Sequence, residues 1–270
     1  MPIEICETMS NEDYRKDKGI SKSRLDRIHK SINHDLMKPS DPTPAMIQGS
    51  ALHCAWLEPD LFDLNYVVEE KIDKRTTEGK VKDKQFQKEN KNKTILTQKQ
   101  RDSVQEMHDN LRKHPKVQNI FSSDNGKAEV SLFWDELDIR CKARPDWVFK
   151  NQLGLFLVDL KTTQDASPEG FRKSIANYRY HVQCAWYCRG AKVCYDEVPE
   201  GFIFVAVENK EPWNVGVYTL GLASRDEGWI LADADLRKYK DWLDSPPEEK
   251  FEGYSQDIEQ LEIPNWAFSN

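Results

Sequence analysis

Hydrophobic residues recur with helical spacing in some parts of the chain and form short strand-like runs in others. Helical spacing predicts helices over about 21–33, 44–57, 98–113, 180–195 and 224–243. Runs rich in β-branched and aromatic residues predict strands at about 65–70, 129–134, 138–149, 154–160, 202–208 and 214–220. Another helix is expected after Ser167-Pro168-Glu169, since proline is favoured at the first helical position. The chain therefore combines helices with strands.

Three segments lack such a pattern. Residues 1–43 are interpreted as an N-terminal helical extension that ends in a proline-rich linker, and residues 245–270 as an acidic C-terminal arm. Residues 71–94 are interpreted as a mobile basic loop, because 71–93 holds nine basic and four acidic residues, a net charge of 9 − 4 = +5. Such a loop could still contact phosphates with salt-sensitive affinity. We expect one domain over residues 1–270.

Composition narrows the possible functions. The 270 residues are 38% hydrophobic and 31% charged, with no apolar run near the roughly 20 residues of a membrane span. The formal charge of −7 argues against indiscriminate binding of polyanions. It does not exclude nucleic acid as a partner, because metal-binding carboxylates add negative charge and a binding surface can still be locally basic. The six cysteines form no C-x-x-C motif, and we interpret them as reduced thiols of a cytoplasmic protein.

Two carboxylates are expected to meet on neighbouring strands. If residues 151–154 form the loop of a hairpin, Lys150 faces Leu155 and Asp146 falls opposite Asp159. Opposed residues on one face of a sheet have Cβ atoms about 5 Å apart, and like charges there repel each other. A divalent metal ion between them would relieve the repulsion. The alternative is a surface hairpin whose charged groups are solvated.

Lys161 and His53 are candidates to complete such a site. Lys161 follows Asp159 by two residues and projects from the same face, where it could orient or deprotonate a metal-activated water. On the predicted helix 44–57, His53 shares a face with Gly49, and glycine permits close approach of a backbone or ligand. His53 is either a buried histidine bonded to a carbonyl group or a third metal ligand.

Glu129 begins the strand before the candidate hairpin. If residues 136–137 form the turn to the next strand, Glu129 comes opposite Arg144. One row of the sheet then carries Glu129, Arg144 and Lys161, beside the row that carries the two aspartates. Glu129 is either a ligand of a second metal ion or the salt-bridge partner of Arg144.

Gln183 and Tyr187 lie one turn apart on the predicted helix 180–195. One interpretation is a half-buried aromatic ring with a polar neighbour. The other is a polar pair directed at the substrate backbone or at the attacking water.

Four motifs now follow one another on helix, strand, strand and helix. They are Gly49-x-x-x-His53, Arg144-Pro145-Asp146, Asp159-Leu160-Lys161 and Gln183-x-x-x-Tyr187. This ordered set resembles the RecB-type branch of the PD-(D/E)xK nucleases and, within it, the RecE-type exonucleases. The resemblance includes residues 20–25 (ISKSRL) and 178–183 (YRYHVQ). It implies an α/β fold, with a restriction-endonuclease-like core in which helices flank a mixed central β-sheet.

The resemblance also implies roles for individual residues. The family's metal ligands match His53, Asp146 and Asp159, with the Leu160 carbonyl as a further oxygen donor, its catalytic lysine matches Lys161, and its supporting pair matches Gln183 and Tyr187. Asp159 stands where many relatives have glutamate, which leaves the chemistry unchanged. The implied cofactor is Mg²⁺, with Mn²⁺ able to substitute. Because histidine is an unusual ligand for Mg²⁺, we expect Mn²⁺ to bind more tightly.

The implied activity is metal-dependent degradation of linear double-stranded DNA from 5′ to 3′. It would leave 3′ single-stranded tails for a RecT-like annealing protein in prophage-type recombination. The expected partners are DNA ends and further copies of the chain, arranged as a ring-shaped tetramer that encloses the DNA. Two alternatives stay open. One is an endonuclease or a helicase-associated nuclease module of the same superfamily, and the other is a catalytically silent DNA-binding scaffold.

Overall fold

The computed structural model describes residues 3–38, 40–122, 126–264 and 267–268. The elements in order are β1 (Glu4–Cys6), α1 (Asn11–Lys16), α2 (Lys22–Lys30), α3 (Ile32–Leu36), α4 (Pro44–Leu57), α5 (Pro59–Asn65), β2 (Tyr66–Val68), α6 (Thr77–Glu89), β3 (Thr94–Leu96), α7 (Gln98–Lys113), α8 (Pro115–Phe121), β4 (Lys127–Ala128), β5 (Ser131–Glu136), β6 (Ile139–Ala143), β7 (Trp147–Asn151), β8 (Gly154–Thr163), α9 (Pro168–Asn177), α10 (Tyr180–Tyr195), β9 (Gly201–Glu208), β10 (Val215–Tyr218) and α11 (Leu222–Asp244).

The central sheet has the strand order β10-β9-β8-β7-β4. Strands β8 and β9 are parallel, whereas the other neighbouring pairs are antiparallel. A second, antiparallel sheet has the order β1-β5-β6, and β2 pairs with β3 in a parallel two-stranded sheet. The predicted α/β class with a mixed central sheet is confirmed.

Helices cover both faces of the central sheet. On one face, Leu52 of α4 and Met107 of α7 share a buried apolar cluster with Leu160 of β8. On the other face, Cys184 of α10 packs in a cluster with Leu157 of β8. Alternate residues of β8 therefore point to opposite faces, as the two-residue period of a strand requires. Strand β8 thus forms the centre of the domain.

Several predicted elements are confirmed, and capping residues explain their positions. Helix α4 begins at Pro44 after the N-cap Thr43, and α7 begins after Thr97 in a capping box. Helix α10 has the predicted bounds. The hairpin between β7 and β8 also has the predicted register, since Lys150 pairs with Leu155.

The prediction of one strand over 138–149 is wrong. Strand β6 ends at Ala143 and β7 begins at Trp147, so that the chain leaves one sheet and enters the other between them. Pro145 lies at the break and has no N–H group to donate to a strand ladder. The break places Asp146 just outside the central sheet.

The predicted register of Glu129 is also wrong. The turn between β5 and β6 lies at Leu137 and Asp138, both with positive φ, and not at residues 136–137. The pairing is shifted by two residues relative to the prediction, and the N–H of Glu129 donates to the carbonyl of Asp146 at 3.0 Å. A two-residue shift preserves which face each side chain occupies. The predicted row of Glu129, Arg144 and Lys161 is not formed.

The basic segment differs from the prediction of a mobile loop. Residues 77–89 form helix α6, whose N-cap Thr76 accepts a hydrogen bond from the N–H of Gly79. The segment is rich in lysine, glutamine and glutamate, which favour helices, and Phe86 anchors it through its buried side chain. Four of the nine basic residues of 71–93 therefore lie on an ordered helix, namely Lys80, Lys82, Lys84 and Lys88.

The N-terminal extension holds two short helices where one was expected over 21–33. Ser31 ends α2, and its hydroxyl accepts a hydrogen bond from the N–H of His34 in α3. In the predicted linker, Pro39 lies outside the described residues. In the C-terminal arm, the carbonyl of Glu252 accepts a hydrogen bond from the N–H of Asn33. Among the described residues, no helix has the length and apolar character needed to cross a membrane, and all six cysteines have free thiols.

Candidate metal-binding and catalytic site

Three ionisable side chains from separate elements converge beside the break between β6 and β7. The ligand atoms of His53, Glu129 and Asp146 all lie within 4.8 Å of one another. The Nδ1 atom of His53 is 3.5 Å from Oδ2 of Asp146. His53 comes from α4, Glu129 from the segment between β4 and β5, and Asp146 from the residue before β7. We call these three residues the ligand cluster.

The position of His53 follows from the close packing of α4 on the central sheet. A Cβ atom added to Gly49 would lie 3.2 Å from the hydroxyl oxygen of Thr162 on β8, closer than ordinary contact. The absence of a side chain at Gly49 therefore lets α4 approach the strand. His53 lies one helical turn later on the same face. The Gly49-x-x-x-His53 spacing thus has a structural reason.

The carboxylate of Asp146 is fixed by the backbone of β8. The last pair of the β7–β8 ladder on this side is Trp147 with Val158. Beyond it, the N–H of Leu160 donates to Oδ2 of Asp146 at 2.6 Å. The Asp146 carboxylate thus serves as the acceptor for this N–H group at the point where the β7–β8 ladder has ended. For the Leu160 carbonyl, the role of oxygen donor stays a prediction.

Glu129 is held in an unusual backbone conformation. Its φ is +52°, in the left-handed region that costs free energy for a residue with a side chain. Its Oε2 atom lies 3.7 Å from Nη1 of Arg144, and the Arg144 Nε donates to the Ser131 hydroxyl at 2.9 Å. Glu129 therefore lies next to Arg144, as one alternative predicts, and also within the ligand cluster. Its role as a ligand of a second metal ion stays a prediction.

Asp159 lies next to the ligand cluster but is not one of its three members. It is buried, and its two carboxylate oxygens contact the Gln183 amide and the Lys161 ammonium group. Tyr187 is partly buried one turn after Gln183. The structure thus brings Asp159, Lys161 and Gln183 into direct contact. The role of Asp159 as a metal ligand and the catalytic roles of all three residues stay predictions.

The charges of these groups depend strongly on one another. Burial, together with the negative charge of Asp146, raises the pKa of Glu129 to about 8. Burial alone would lower the pKa of His53, but the carboxylates of Asp146, Asp159 and Glu129 raise it to about 9. Burial likewise opposes the charge of Lys161, but Asp159 and Asp146 hold its pKa above the usual value. The carboxylates therefore favour the positively charged forms of His53 and Lys161 and would also favour a bound cation.

The chemistry of the donors fits a divalent cation. Two carboxylates and one imidazole offer hard oxygen atoms and a borderline nitrogen, a set suited to Mg²⁺ or Mn²⁺. When both groups are ionised, the Glu129 and Asp146 carboxylates repel each other, and a cation bound between them would replace the proton that the raised pKa of Glu129 retains. The arrangement can thus hold a metal ion next to the ammonium group of Lys161.

Tyr180 is a neighbour of the site that sequence reasoning did not single out. Its ring centroid lies 4.7 Å from the Lys161 Nζ. It belongs to the segment 178–183, whose two tyrosines flank one arginine, but its place beside the lysine depends on how α10 packs on β8. No spacing within the sequence determines that packing.

Comparison with known proteins identifies a family and a solved structure with a similar fold. The family model described as a PDDEXK-like domain of unknown function (DUF3799) matches residues 22–245. A crystal structure from Eubacterium rectale, of a protein that carries the provisional name of exonuclease, has a TM-score of 0.62. It is 12% identical in sequence, and the alignment covers 95% of this chain and 96% of that chain. This likeness supports the restriction-endonuclease-like fold.

A second solved structure, that of SSO0001, is 13% identical and covers 84% of this chain and 87% of that chain. Its TM-score of 0.30 is too low to support any argument. Among curated proteins, none matches the chain significantly.

Proposed function

Since the chain belongs to the family of PDDEXK-like domains described as DUF3799, we propose that it is a metal-dependent nuclease that hydrolyses phosphodiester bonds in DNA. The observation that supports this proposal most directly is the convergence of His53, Glu129 and Asp146 beside the Asp159–Lys161 ion pair. A surface hairpin with solvated charges would not bury these groups together. The family match and the convergence of the three ligand residues therefore both support a nuclease.

His53, Glu129 and Asp146 would hold the cation. When bound, a divalent ion polarises the scissile phosphate and lowers the pKa of a bound water. Asp159 lies next to this position and anchors the ammonium group of Lys161. Gln183 donates to Asp159 and thereby fixes the carboxylate that orients the lysine.

Lys161 has the position of the principal catalytic group. Its side chain is 17% exposed, so the ammonium group is largely shielded from solvent yet reachable from the cluster. There it would position the attacking water and offset the negative charge that develops on the phosphate. The raised pKa of Lys161 keeps the group protonated at neutral pH, which favours charge stabilisation over proton abstraction.

We further propose that the substrate is linear double-stranded DNA, degraded from 5′ to 3′. The resemblance to RecE-type exonucleases supports this polarity, as well as a ring-shaped tetramer, a RecT-like annealing partner, Mg²⁺ as the usual ion and a cytoplasmic location. The exposed lysines of helix α6 provide an additional contact for phosphates. The net charge of −7 makes local basic surfaces of this kind necessary for binding.

The test is digestion of a linear duplex labelled at either the 5′ or the 3′ end, with Mg²⁺, with Mn²⁺ or with EDTA. A covalently closed circle of the same sequence is the matched control. Degradation of the linear duplex only, with immediate loss of a 5′ label, supports the proposal. Cleavage of the circle would identify an endonuclease. A chain that binds DNA but cuts neither substrate would be a scaffold.

A further inference from the structure

An aromatic column leads from the candidate catalytic lysine to the surface. The Tyr180 ring lies 4.7 Å from Lys161 Nζ and stacks on Tyr178, with 5.6 Å between ring centroids and 27° between ring planes. Tyr178 is 61% exposed, so the outer end of the column is open to solvent. A flat hydrophobic face thus begins one ring away from the Lys161 ammonium group.

The inner end of the column is firmly packed. Tyr180 stacks on Phe204 of β9 at 5.8 Å and packs against Phe171 of α9 at 6.0 Å, and both phenylalanines are buried. This packing holds the Tyr180 ring in one orientation when a ligand approaches from solvent. The column is therefore a preformed surface, which reduces the entropic cost of binding a flat group.

The backbone between the two tyrosines is also fixed. Arg179 has a φ of +52°, and its guanidinium group bonds to Asp26 of α2 at 3.2 Å and to Asp235 of α11. This left-handed residue gives the bend between α9 and α10 that places the two rings together. Helices α2 and α11 thus hold the turn that carries Tyr178.

Positive charge flanks the column. The ammonium group of Lys22 donates to the carbonyl of Tyr178 at 2.6 Å and lies 5.7 Å from the Tyr180 ring centroid. Asp26 pairs with Lys22 at 2.7 Å and offsets part of this charge. Lys161 and Lys22 therefore approach the same ring, and a phosphate held by Lys161 would place the neighbouring nucleotide at the outer ring.

We propose that Tyr178 is a stacking platform for an unpaired nucleobase adjacent to the scissile phosphate. The inference rests on the proposed nuclease function and adds to it the form of the substrate at the site. A base inside a duplex has both faces covered by its neighbours and cannot stack on a protein ring. A terminal base has one free face, but the Lys161 ammonium group is largely shielded, so the strand has to separate from its partner to bring the scissile phosphate there. Stacking of the unpaired base on an aromatic ring is tolerant of sequence.

The test uses DNA with 2-aminopurine, whose fluorescence falls on stacking, as the last base of a short single-stranded 5′ overhang. The full chain is titrated in Ca²⁺ and, separately, in EDTA, while a fluorescein on the far end reports binding by anisotropy. The variants are Tyr178→Phe, which keeps the ring, and Tyr178→Leu and Tyr178→Ala, which remove it. Tyr254→Ala is the matched control, because Tyr254 is 81% exposed and lies in the C-terminal arm.

We expect quenching of 2-aminopurine in the unmodified chain, in Tyr178→Phe and in Tyr254→Ala, and its loss in the other two variants. Loss of the ring should also weaken binding by about 5- to 100-fold. Equal 2-aminopurine signals in Tyr178→Phe and Tyr178→Leu, or a chain that binds no DNA, would overturn the stacking inference. If quenching follows the ring but no DNA is cleaved in Mg²⁺ or Mn²⁺, the stacking site stands and the nuclease proposal fails.

Discussion

The Nδ1 atom of His53 lies 3.5 Å from Oδ2 of Asp146, and this contact joins helix α4 to the point where the chain crosses between two sheets. Asp146 lies between the last paired residue of β6 and the first of β7, outside both ladders, where its side chain faces His53. The break at Pro145 therefore creates the site as well as interrupting the ladder. Glu129 reaches the same point through a strained backbone, which is consistent with a functional requirement for its position.

Removal of one ligand charge should weaken metal binding. Asp146→Asn loses the negative charge but keeps an oxygen that can accept the N–H of Leu160. Glu129→Gln likewise replaces a carboxylate of the ligand cluster by an uncharged amide. We expect each change to lower Mn²⁺ affinity at least about tenfold, measured by isothermal titration calorimetry. Glu169→Gln, an exposed site on α9, is the control. Unchanged affinity in both cluster variants would contradict the assignment.

Metal binding should strengthen as the pH rises. With pKa values raised to about 9 for His53 and about 8 for Glu129, both groups carry protons at neutral pH. A cation must displace those protons, so its affinity is lowest at low pH and increases as pH approaches these values. Titrations with Mn²⁺ at pH 6.5 and 8.5, in buffers of different ionisation enthalpy, measure affinity and proton release together. Affinity independent of pH, with no released proton, would rule out this ligand set.

The sequence predicted the side chains of the site better than the paths of the strands that carry them. The register of the β7–β8 hairpin followed from one short loop, and the face of Lys161 followed from the two-residue period of β8. Both depend only on local geometry. The predicted start of α4 at Pro44 is also confirmed, and Thr43 caps the helix there.

The errors arose where distant contacts decide the structure. Nothing local distinguishes a turn at residues 136–137 from one at 137–138, so the register of Glu129 was shifted by two residues. The polar composition of residues 71–94 favours a loop, but residues 77–89 form a helix that buries the ring of Phe86. The contact between Tyr180 and Lys161 depends on how α10 packs and has no sequence signal of its own.

Loss of Lys161 should abolish cleavage and also expose a buried charge. Lys161→Ala removes the group placed to stabilise the charge on the phosphate, and we expect a loss of about 10²- to 10³-fold in rate. Asp159, whose side chain is 3% exposed, then lacks its cation, which costs about 3–5 kcal/mol of folding free energy. Lys173→Ala, an exposed lysine on α9, is the control for both measurements.

A paired substitution separates these two effects. In the double variant Lys161→Met with Asp159→Asn, neither buried charge is present, so the free energy of unfolding should recover most of the loss. Cleavage should stay absent, because the ammonium group is still missing. Urea denaturation measures the first quantity and release of a labelled nucleotide measures the second. Full cleavage by Lys161→Ala would refute the proposed role.

The basic face of helix α6 should contribute non-specific affinity for DNA. Lys80, Lys84 and Lys88 are exposed and lie one turn apart on α6, and glutamine at all three positions removes three positive charges. If each contacts one phosphate, the slope of log affinity against log salt falls by about 0.9 per lysine on duplex DNA. Fluorescence anisotropy at several salt concentrations measures it. Lys240→Gln on α11 is the control, and an unchanged slope in the triple variant would place DNA elsewhere.

The packing of α10 on the second sheet can be tested at a single glycine. A Cβ atom at Gly190 would lie 2.4 Å from a ring carbon of Trp134, which is fully buried against Trp186. Helix propensity favours alanine by about 1 kcal/mol, but the clash with a ring that has no free space outweighs it. We expect Gly190→Ala to lower the free energy of unfolding by about 1–3 kcal/mol, seen as a lower urea midpoint at unchanged slope. Gly221→Ala is the matched control, because its Cβ would meet no atom within 4 Å, and it should cost less than about 1 kcal/mol. Equal stability of the two variants would mean that α10 does not pack on Trp134 as described.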